Sequence, residues 1–229
     1  MLVSNWMSKP VITVGENDSM KEAVRLIKEN NIRILPVMDR GKLVGVITDR
    51  DLKRASASDA TSLEIHELFY LLSKIKVKDI MTQNPITVFP DFSIEETGQL
   101  LLKNKISAVP VVDDQGQLVG IITQTDLFRV LTNLTGVDKK GVQFAFVIAD
   151  RSGSIKKITD IIRSYGGQLV SILTSYENVP PRHRNLYVRA YQIDRACLSP
   201  LQKDLNKEAT MRYMIDHREK MRDIYLDQG

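Results

Sequence analysis

Two passages of this chain occur twice. Residues 7–14 read MSKPVITV and residues 81–88 read MTQNPITV; residues 43–54 read LVGVITDRDLKR and residues 118–129 read LVGIITQTDLFR. The copies are 74 residues apart at the first pair and 75 at the second, one extra residue falling near Gly116. A unit that recurs at this length carries a complete supersecondary structure, because each copy must fold the same way to persist. Two such units in tandem are expected to pack on each other with internal two-fold symmetry, leaving matching clefts between them.

Within each copy the pattern reads β-α-β-β-α. A short extended piece, Ile12–Val14 or Ile86–Val88, precedes Ser19-Met-Lys-Glu22 or Ser93-Ile-Glu-Glu96. Both have the S-x-x-E spacing of a capping box, which satisfies the first free N–H groups of a helix. In the first helix Met20, Ala23, Val24 and Ile27 form an apolar stripe. The second carries Gly98 in mid-helix, a cost of about 1 kcal/mol against alanine that close packing explains. Two β-rich runs follow in each copy, Ile34–Met38 with Leu43–Thr48 and Ala108–Val112 with Leu118–Thr123, joined by Asp- and Gly-containing turns that suit hairpins. Helical spacing of Ile65, Leu68, Phe69 and Leu72 predicts a connecting helix between the copies, with His66 in it as a solvated or interfacial residue.

From Val142 the pattern changes to β-α-β-β-α-β, the order of a ferredoxin-like domain. Strands are expected at Val142–Ile148, Gln168–Tyr176, Tyr187–Ile193 and Thr210–Ile215, with helices from Ile155 and over Leu198–Leu205. Gly166-Gly167 marks a helix C-terminus. The charged tail 216–229 reads as a short terminal helix.

The recurrent G-h-h-T-x-x-D motif bears the chemistry. A strand ends at Thr48 or Thr123 and a helix begins, so free backbone N–H groups and a hydroxyl face an anion there. Asp51 or Asp126, one turn on, can accept two hydrogen bonds from a ribose diol. Thr-x-x-Asp at a helix start is equally a capping-box variant, and the two roles are compatible.

Paired copies of the ITV-type strand, the h-P-V-h-D hairpin and G-h-h-T-x-x-D resemble tandem cystathionine β-synthase (CBS) domains, the Bateman module, over residues 1–135. The resemblance implies an α+β fold with two β-α-β-β-α units in a pseudo-two-fold pair: residues 1–60 as the first domain and 61–135, with the connecting helix, as the second. It implies adenosine ligands in the clefts, with Thr48 and Asp51 holding phosphate and ribose of one nucleotide and Thr123 and Asp126 those of another. Ile12, Thr13, Ile34 and Pro36 would line one adenine slot, and Ile86, Thr87, Ala108 and Pro110 the other. The sites differ: Arg33, Arg50 and Lys53 in the first copy stand where the second has Ser107, Thr125 and Phe128. Arginine is the better phosphate partner, so the first site is expected to favour more highly charged nucleotides, unless these side chains only line solvated helix faces.

Residues 142–216 resemble an ACT domain, a small regulatory module, through Asp150-x-x-Gly153-x-Ile155. Ser152 stands where that family usually has proline, and a dimer-forming role is as well supported as a ligand site. The stretch TSLEIHELFYLLSKIKVKDIMT resembles acetoin-utilisation proteins, implying a link to acetoin and carbon metabolism.

Composition narrows the function classes. The net charge of +4 on 229 residues, without a block of like charges, gives only a weak electrostatic case for nucleic acid. In the tail Arg212, Arg218, Lys220 and Arg222 are offset by Asp216, Glu219, Asp223 and Asp227. Cys197 is the single cysteine, which excludes an internal disulfide and a cysteine-based zinc site. No apolar run nears the ~20 residues of a membrane span, and MLVSNWMSKP lacks the layout of a signal peptide; a cytoplasmic protein is expected. His66, His183 and His217 are scattered, no nucleophile elbow occurs, and no phosphate-cradling glycine loop is present. The expectation is a non-enzymatic homodimer without catalytic residues, metal or cofactor. Its regulatory ligand is AMP, ADP or ATP, and the protein it regulates is not identified by the sequence. The alternative is a nucleotide-sensing regulator acting through DNA or through a nucleotide-processing enzyme.

Overall fold

The structure is a computed structural model that describes residues 1–57 and 73–225. Most of the expected connecting helix, including His66, lies outside the described residues. The chain forms two compact units, Met1–Phe128 and Arg129–Gly229.

In the first unit the first copy runs β1 (Val14–Gly15), α1 (Met20–Glu29), β2 (Ile34–Asp39), β3 (Lys42–Thr48) and α2 (Asp49–Ala57). The second runs α3 (Val77–Ile80), β4 (Thr82–Gln83), α4 (Ile94–Asn104), β5 (Ala108–Val112), β6 (Leu118–Thr123) and α5 (Gln124–Thr135), whose last turns lie beyond the unit boundary. Ser93 and Glu96 form the reciprocal capping box. In the first copy only half forms: the Glu22 N–H donates to Ser19 Oγ, while the Glu22 carboxylate turns to Arg25 at 2.9 Å. Gly98 packs closely, since a Cβ there would lie 3.3 Å from Leu127 of α5. Each β-hairpin is antiparallel, Ile34 facing Thr48 and Ala108 facing Thr123. Val14 pairs in parallel with Val37, and Val88 does the same with Val111 as a single bridge, so the expected strand Ile86–Val88 shrinks to one residue.

The copies exchange their leading segments. Thr82 and Gln83 of the second copy pair with Val46 and Gly45 on the outer edge of β3, while Ser8 of the first copy pairs with Ile121 of β6. Further along, the Val77 and Lys78 N–H groups donate to the carbonyls of Asp18 and Glu16, as those of Val3 and Ser4 donate to Phe92 and Pro90. Glycine permits both crossings. A Cβ on Gly45 would sit 2.9 Å from the Thr82 carbonyl oxygen, and one on Gly120 would collide with Met7. The leaders thus close an internal two-fold pair. Each copy buries its own sheet face, Leu35, Val37 and Ile47 against Met20 and Ala23 in the first.

The second unit runs β7 (Val142–Ala149), α6 (Ser154–Ser164), β8 (Gln168–Ser175), β9 (His183–Tyr191), α7 (Leu198–Glu208), β10 (Thr210–Asp216) and β11 (Met221–Ile224). Its antiparallel sheet has the order β11-β10-β7-β9-β8. Alternation puts Phe144, Phe146, Leu186 and Val188 on one face against Ile158, Ile162, Leu201 and Leu205 of the two helices. Gln143, Tyr187, Arg189 and Tyr213 take the other face. The expected terminal helix is corrected: residues 221–224 are a fifth strand on β10. The Asp216 carboxylate accepts the N–H groups of Arg218 and Glu219, which bends the chain into a hairpin instead of a helix.

Candidate functional site

Strand ends decide the local geometry. The β2–β3 hairpin closes where the Asp49 N–H donates to the Arg33 carbonyl, and β5–β6 closes where Gln124 N–H donates to that of Ser107. At each closure the second strand stops on threonine and a helix starts on the next residue, so Thr48 and Thr123 are the helix caps. Asp51 Oδ2 accepts from the Thr48 N–H at 2.9 Å and hydroxyl at 2.6 Å, and the Asp51 N–H returns to Thr48 Oγ1 at 3.3 Å. The second copy repeats this with Thr123 and Asp126 at 2.9, 2.7 and 3.2 Å. The capping role is therefore realised in both copies, and through one carboxylate oxygen only. In Asp51 the other oxygen, Oδ1, accepts no bond from the described residues. The two aspartates differ in exposure: Asp51 is half-buried and Asp126 only 3% exposed.

Around each box the structure gathers much of the expected set. Register pairing sets Ile34 beside Thr48 and Pro36 beside Val46; Arg33 stands at the mouth of the same hairpin and Arg50 in the first turn of α2. Ile12 and Thr13 lead into β1 on the other side of β2. In the second copy Ala108 pairs with Thr123 and Pro110 with Ile121, and Ser107 stands at the mouth. Ile86 and Thr87 lead into the Val88–Val111 bridge. Pro36, Ala108 and Pro110 are buried, so they can supply only a back wall, while Ile12, Thr13, Ile34 and Thr87 are half-buried and Ile86 is exposed.

The charged groups also separate. Arg33 and Arg50 are exposed and form no ion pair with the described residues, whereas Lys53 pairs with Asp49 one turn back at 3.5 Å and is held along the helix face. The i,i+4 spacing of Asp49 and Lys53 was a readable signal of that pairing. Phe128 of the second copy is 65% exposed.

In the second unit a cavity of about 460 Å³ lies beside α7 and the β10–β11 hairpin, lined by Leu198, Gln202, Met214 and Met221 among others. Its buried carboxylate is already occupied: Asp216 takes Arg195 Nε at 2.8 Å and Nη2 at 2.9 Å besides its two backbone donors. Burial pushes the Asp216 carboxyl up, and the hydrogen bonds and charge of Arg195 with the two N–H groups outweigh that, holding it below the usual aspartate range. Among the described residues no helix is long and apolar enough to cross a membrane.

Comparison with known proteins places this geometry. An uncharacterized protein of Methanocaldococcus jannaschii, MJ1426, is 34% identical over 154 residues, covering 57% of this chain and 91% of that protein. A CBS domain-containing protein of Dictyostelium discoideum is 36% identical over 57% of this chain and 91% of its own length. The inosine-5′-monophosphate dehydrogenase of Korarchaeum cryptofilum is 37% identical over 54% of this chain, but the match spans only 23% of that enzyme. Among solved structures, the CBS domain pair of protein MJ0100 in complex with 5′-methylthioadenosine and S-adenosyl-L-methionine is 37% identical with a TM-score of 0.50, over 57% of this chain and 95% of that one. A chain of Vibrio cholerae described as an acetoin utilization protein (AcuB) is 26% identical with a TM-score of 0.51, over 61% and 96%. The CBS domain model itself matches twice, at residues 3–58 and 77–133. Those two spans contain both Thr-x-x-Asp boxes and both exchanged leaders, and the chain belongs to the CBS-domain family as a tandem pair.

Proposed function

We propose that the chain is a non-enzymatic regulator whose CBS pair binds adenosine ligands at the two Thr-x-x-Asp junctions. The carrying observation is the duplicated box that consumes one carboxylate oxygen and, in Asp51, leaves Oδ1 without a bond to the described residues. A ribose diol is the matching donor pair. The two ligands of the related MJ0100 pair have adenosine in common, so the nucleoside half is the shared recognition element, and the first-turn N–H groups serve a phosphate when one is present. In the first site Ile12, Thr13, Ile34 and Pro36 line the adenine slot, Thr48 and Asp51 hold phosphate and ribose, and Arg33 and Arg50 add positive charge. In the second, Ile86, Thr87, Ala108 and Pro110 line the slot, with Ser107, Thr123 and Asp126 at the sugar-phosphate. Calorimetric titration of the full chain with AMP, ADP, ATP, NAD, 5′-methylthioadenosine and S-adenosyl-L-methionine tests this. Binding of at least one at two sites is the expected result, and no heat with any of them overturns the reading.

The domain reading is 1–60 and 61–135 for the CBS pair and 142–216 for an ACT-like ferredoxin-type module. The strand order β10-β7-β9-β8, with two helices on one face, supports that module. We read the chain as a cytoplasmic homodimer in which nucleotide binding is transmitted to the C-terminal unit. The supporting feature is α5, a single helix that starts one residue before Thr125 with Asp126 in its first turn and ends beyond the unit boundary. A ligand shifts such an element only if it prefers one of two arrangements. Likeness to the Vibrio chain supports a place in acetoin metabolism. Light scattering should give twice the 26.0 kDa of one chain, and saturating nucleotide should change hydrogen exchange across 142–215. A monomer mass removes the dimer, and unchanged exchange in a nucleotide-bound sample removes the coupling.

A further inference from the structure

We propose that the helix-free face of the C-terminal sheet holds a site for a small organic carboxylate, with the Arg189 guanidinium as its counter-ion and the Thr135–Gly136 turn as its cover. Arg189, on β9, is only 4% exposed. Among the described residues its one hydrogen bond is from Nη2 to Gln143 Oε1 at 3.1 Å, and its buried Nε and Nη1 have no acceptor there. No carboxylate among the described residues pairs with it. Asp216, two strands away on β10, has both oxygens committed to Arg195 and two backbone N–H groups. A guanidinium buried without a counter-charge is strongly destabilising, and native structures satisfy such groups with a partner or a bound species.

The surroundings define the class of that species. Gln143 is already shared: His217 Nε2 lies 3.3 Å from the same Oε1, and Gln143 Nε2 reaches the Tyr213 hydroxyl at 3.4 Å. Tyr187 and Tyr213 stand side by side on this face with ring centroids 6.5 Å apart. They provide an apolar, aromatic wall for the body of a ligand whose charged end meets Arg189. One buried cation awaits neutralisation, since Arg222 is exposed to solvent, and burial and then the charges of Arg189 and Arg222 push the His217 imidazole down toward its neutral form, with only Asp216 opposing. A monoanion balances that charge. A phosphate dianion leaves an excess negative charge in a buried place, which is why a carboxylate is the better match.

Access is through the turn after α5. Ser171 Oγ donates to the Thr135 carbonyl at 3.1 Å, and Gly136 follows in the left-handed region at φ 61°. A Cβ on Gly136 would collide with Val170 and lie 3.9 Å from Arg189 Cδ, so this turn rests directly on the arginine. Lifting it exposes the unpaired N–H groups.

The test uses the full chain and three probes, acetate, lactate and benzoate, against inorganic phosphate and chloride at constant ionic strength. Thermal melting is followed by tyrosine circular dichroism, and the His217 ring is titrated by NMR. The carboxylates should raise the melting midpoint in proportion to the logarithm of their concentration, with benzoate the most effective. They should also raise the His217 pKa, because a bound anion cancels the field of Arg189. Arg189→Met should lose at least ~10-fold in carboxylate affinity without lowering the midpoint in carboxylate-free buffer, and Arg189→Lys should weaken binding while keeping the charge. Equal response to chloride, a response to phosphate alone, an unmoved His217, or an Arg189→Met chain that still responds would each overturn the proposal. So would an Arg189→Met chain less stable than the parent, since the guanidinium is then a structural donor satisfied by water. Adenosine titration of the same variant is expected to be unchanged, so failure here and failure of the nucleotide reading are seen separately.

Discussion

The two roles of Asp51 separate on substitution by asparagine. Its Oδ2 takes both Thr48 bonds, at 2.9 and 2.6 Å, and Oδ1 is left to a ribose diol. In Asp51→Asn the amide oxygen keeps the two Thr48 bonds, and the amide nitrogen replaces Oδ1. The cap loses only its charge, worth about 0.3–1 kcal/mol near a helix N-terminus. Ribose loses an anionic acceptor, worth about 1.5–3 kcal/mol, or roughly 10- to 150-fold in affinity at 1.4 kcal/mol per decade. In Asp51→Ala the cap itself goes, at about 0.5–2 kcal/mol, which in a unit of this size lowers the melting midpoint by roughly 3–5 °C per kcal/mol. Calorimetry with the best-binding adenosine ligand, beside urea melts of the same samples, reads both quantities. Asparagine should nearly preserve stability while one of the two sites is lost. If Asp51→Asn binds at both sites as the parent does, while Asp51→Ala weakens binding only as far as it destabilises, Asp51 is a helix cap and the ribose assignment fails.

The exchanged leaders make Gly45 and Gly120 unequal. Gly45→Ala forces a methyl against the Thr82 carbonyl, 2.9 Å away, and should cost about 1–3 kcal/mol; Gly120→Ala meets the flexible Met7 side chain and should cost less, and urea melts showing the reverse order would contradict the register. Asp216, whose carboxyl is held below its ordinary value, contributes stability that is full above the unfolded aspartate pKa of about 3.9 and is lost as pH falls through the lower folded value. Acid titration of the C-terminal unit should therefore show a loss below that range. Asp216→Asn should remove the loss while costing about 3 kcal/mol at neutral pH, and an unaltered acid profile would refute the role. If Arg33 and Arg50 serve phosphate, Arg50→Ser should lower ATP affinity several-fold and leave 5′-methylthioadenosine unchanged, whereas an equal drop for both ligands would mean the side chain acts on the nucleoside or on the fold.

Local physics is written in this sequence and long-range physics is not. The repeat, the Ser19 and Ser93 caps, both hairpins and the Thr-x-x-Asp junctions depend on residues within a few positions of one another, and β5 and β6 appear at the expected bounds, Ala108–Val112 and Leu118–Thr123. The ITV leaders look alike in both copies, so periodicity cannot say which sheet each one joins. That choice belongs to the tertiary structure, where Gly45 and Gly120 admit the opposite copy's chain. The tail shows the same division. Its charges suit a helix end, yet free hydrogen-bonding groups along β10 and the Asp216 turn draw residues 221–224 into a fifth strand. Glu22 answers to Arg25 instead of completing its box, and Lys53 answers to Asp49, because neighbours on a helix face compete for the same charge. Arg189 reads as an ordinary polar residue between Val188 and Ala190. Only packing, with Gly136 resting on its side chain, turns it into a buried cation without an acceptor among the described residues for two of its nitrogens, since burial is a property of what the rest of the chain puts on top.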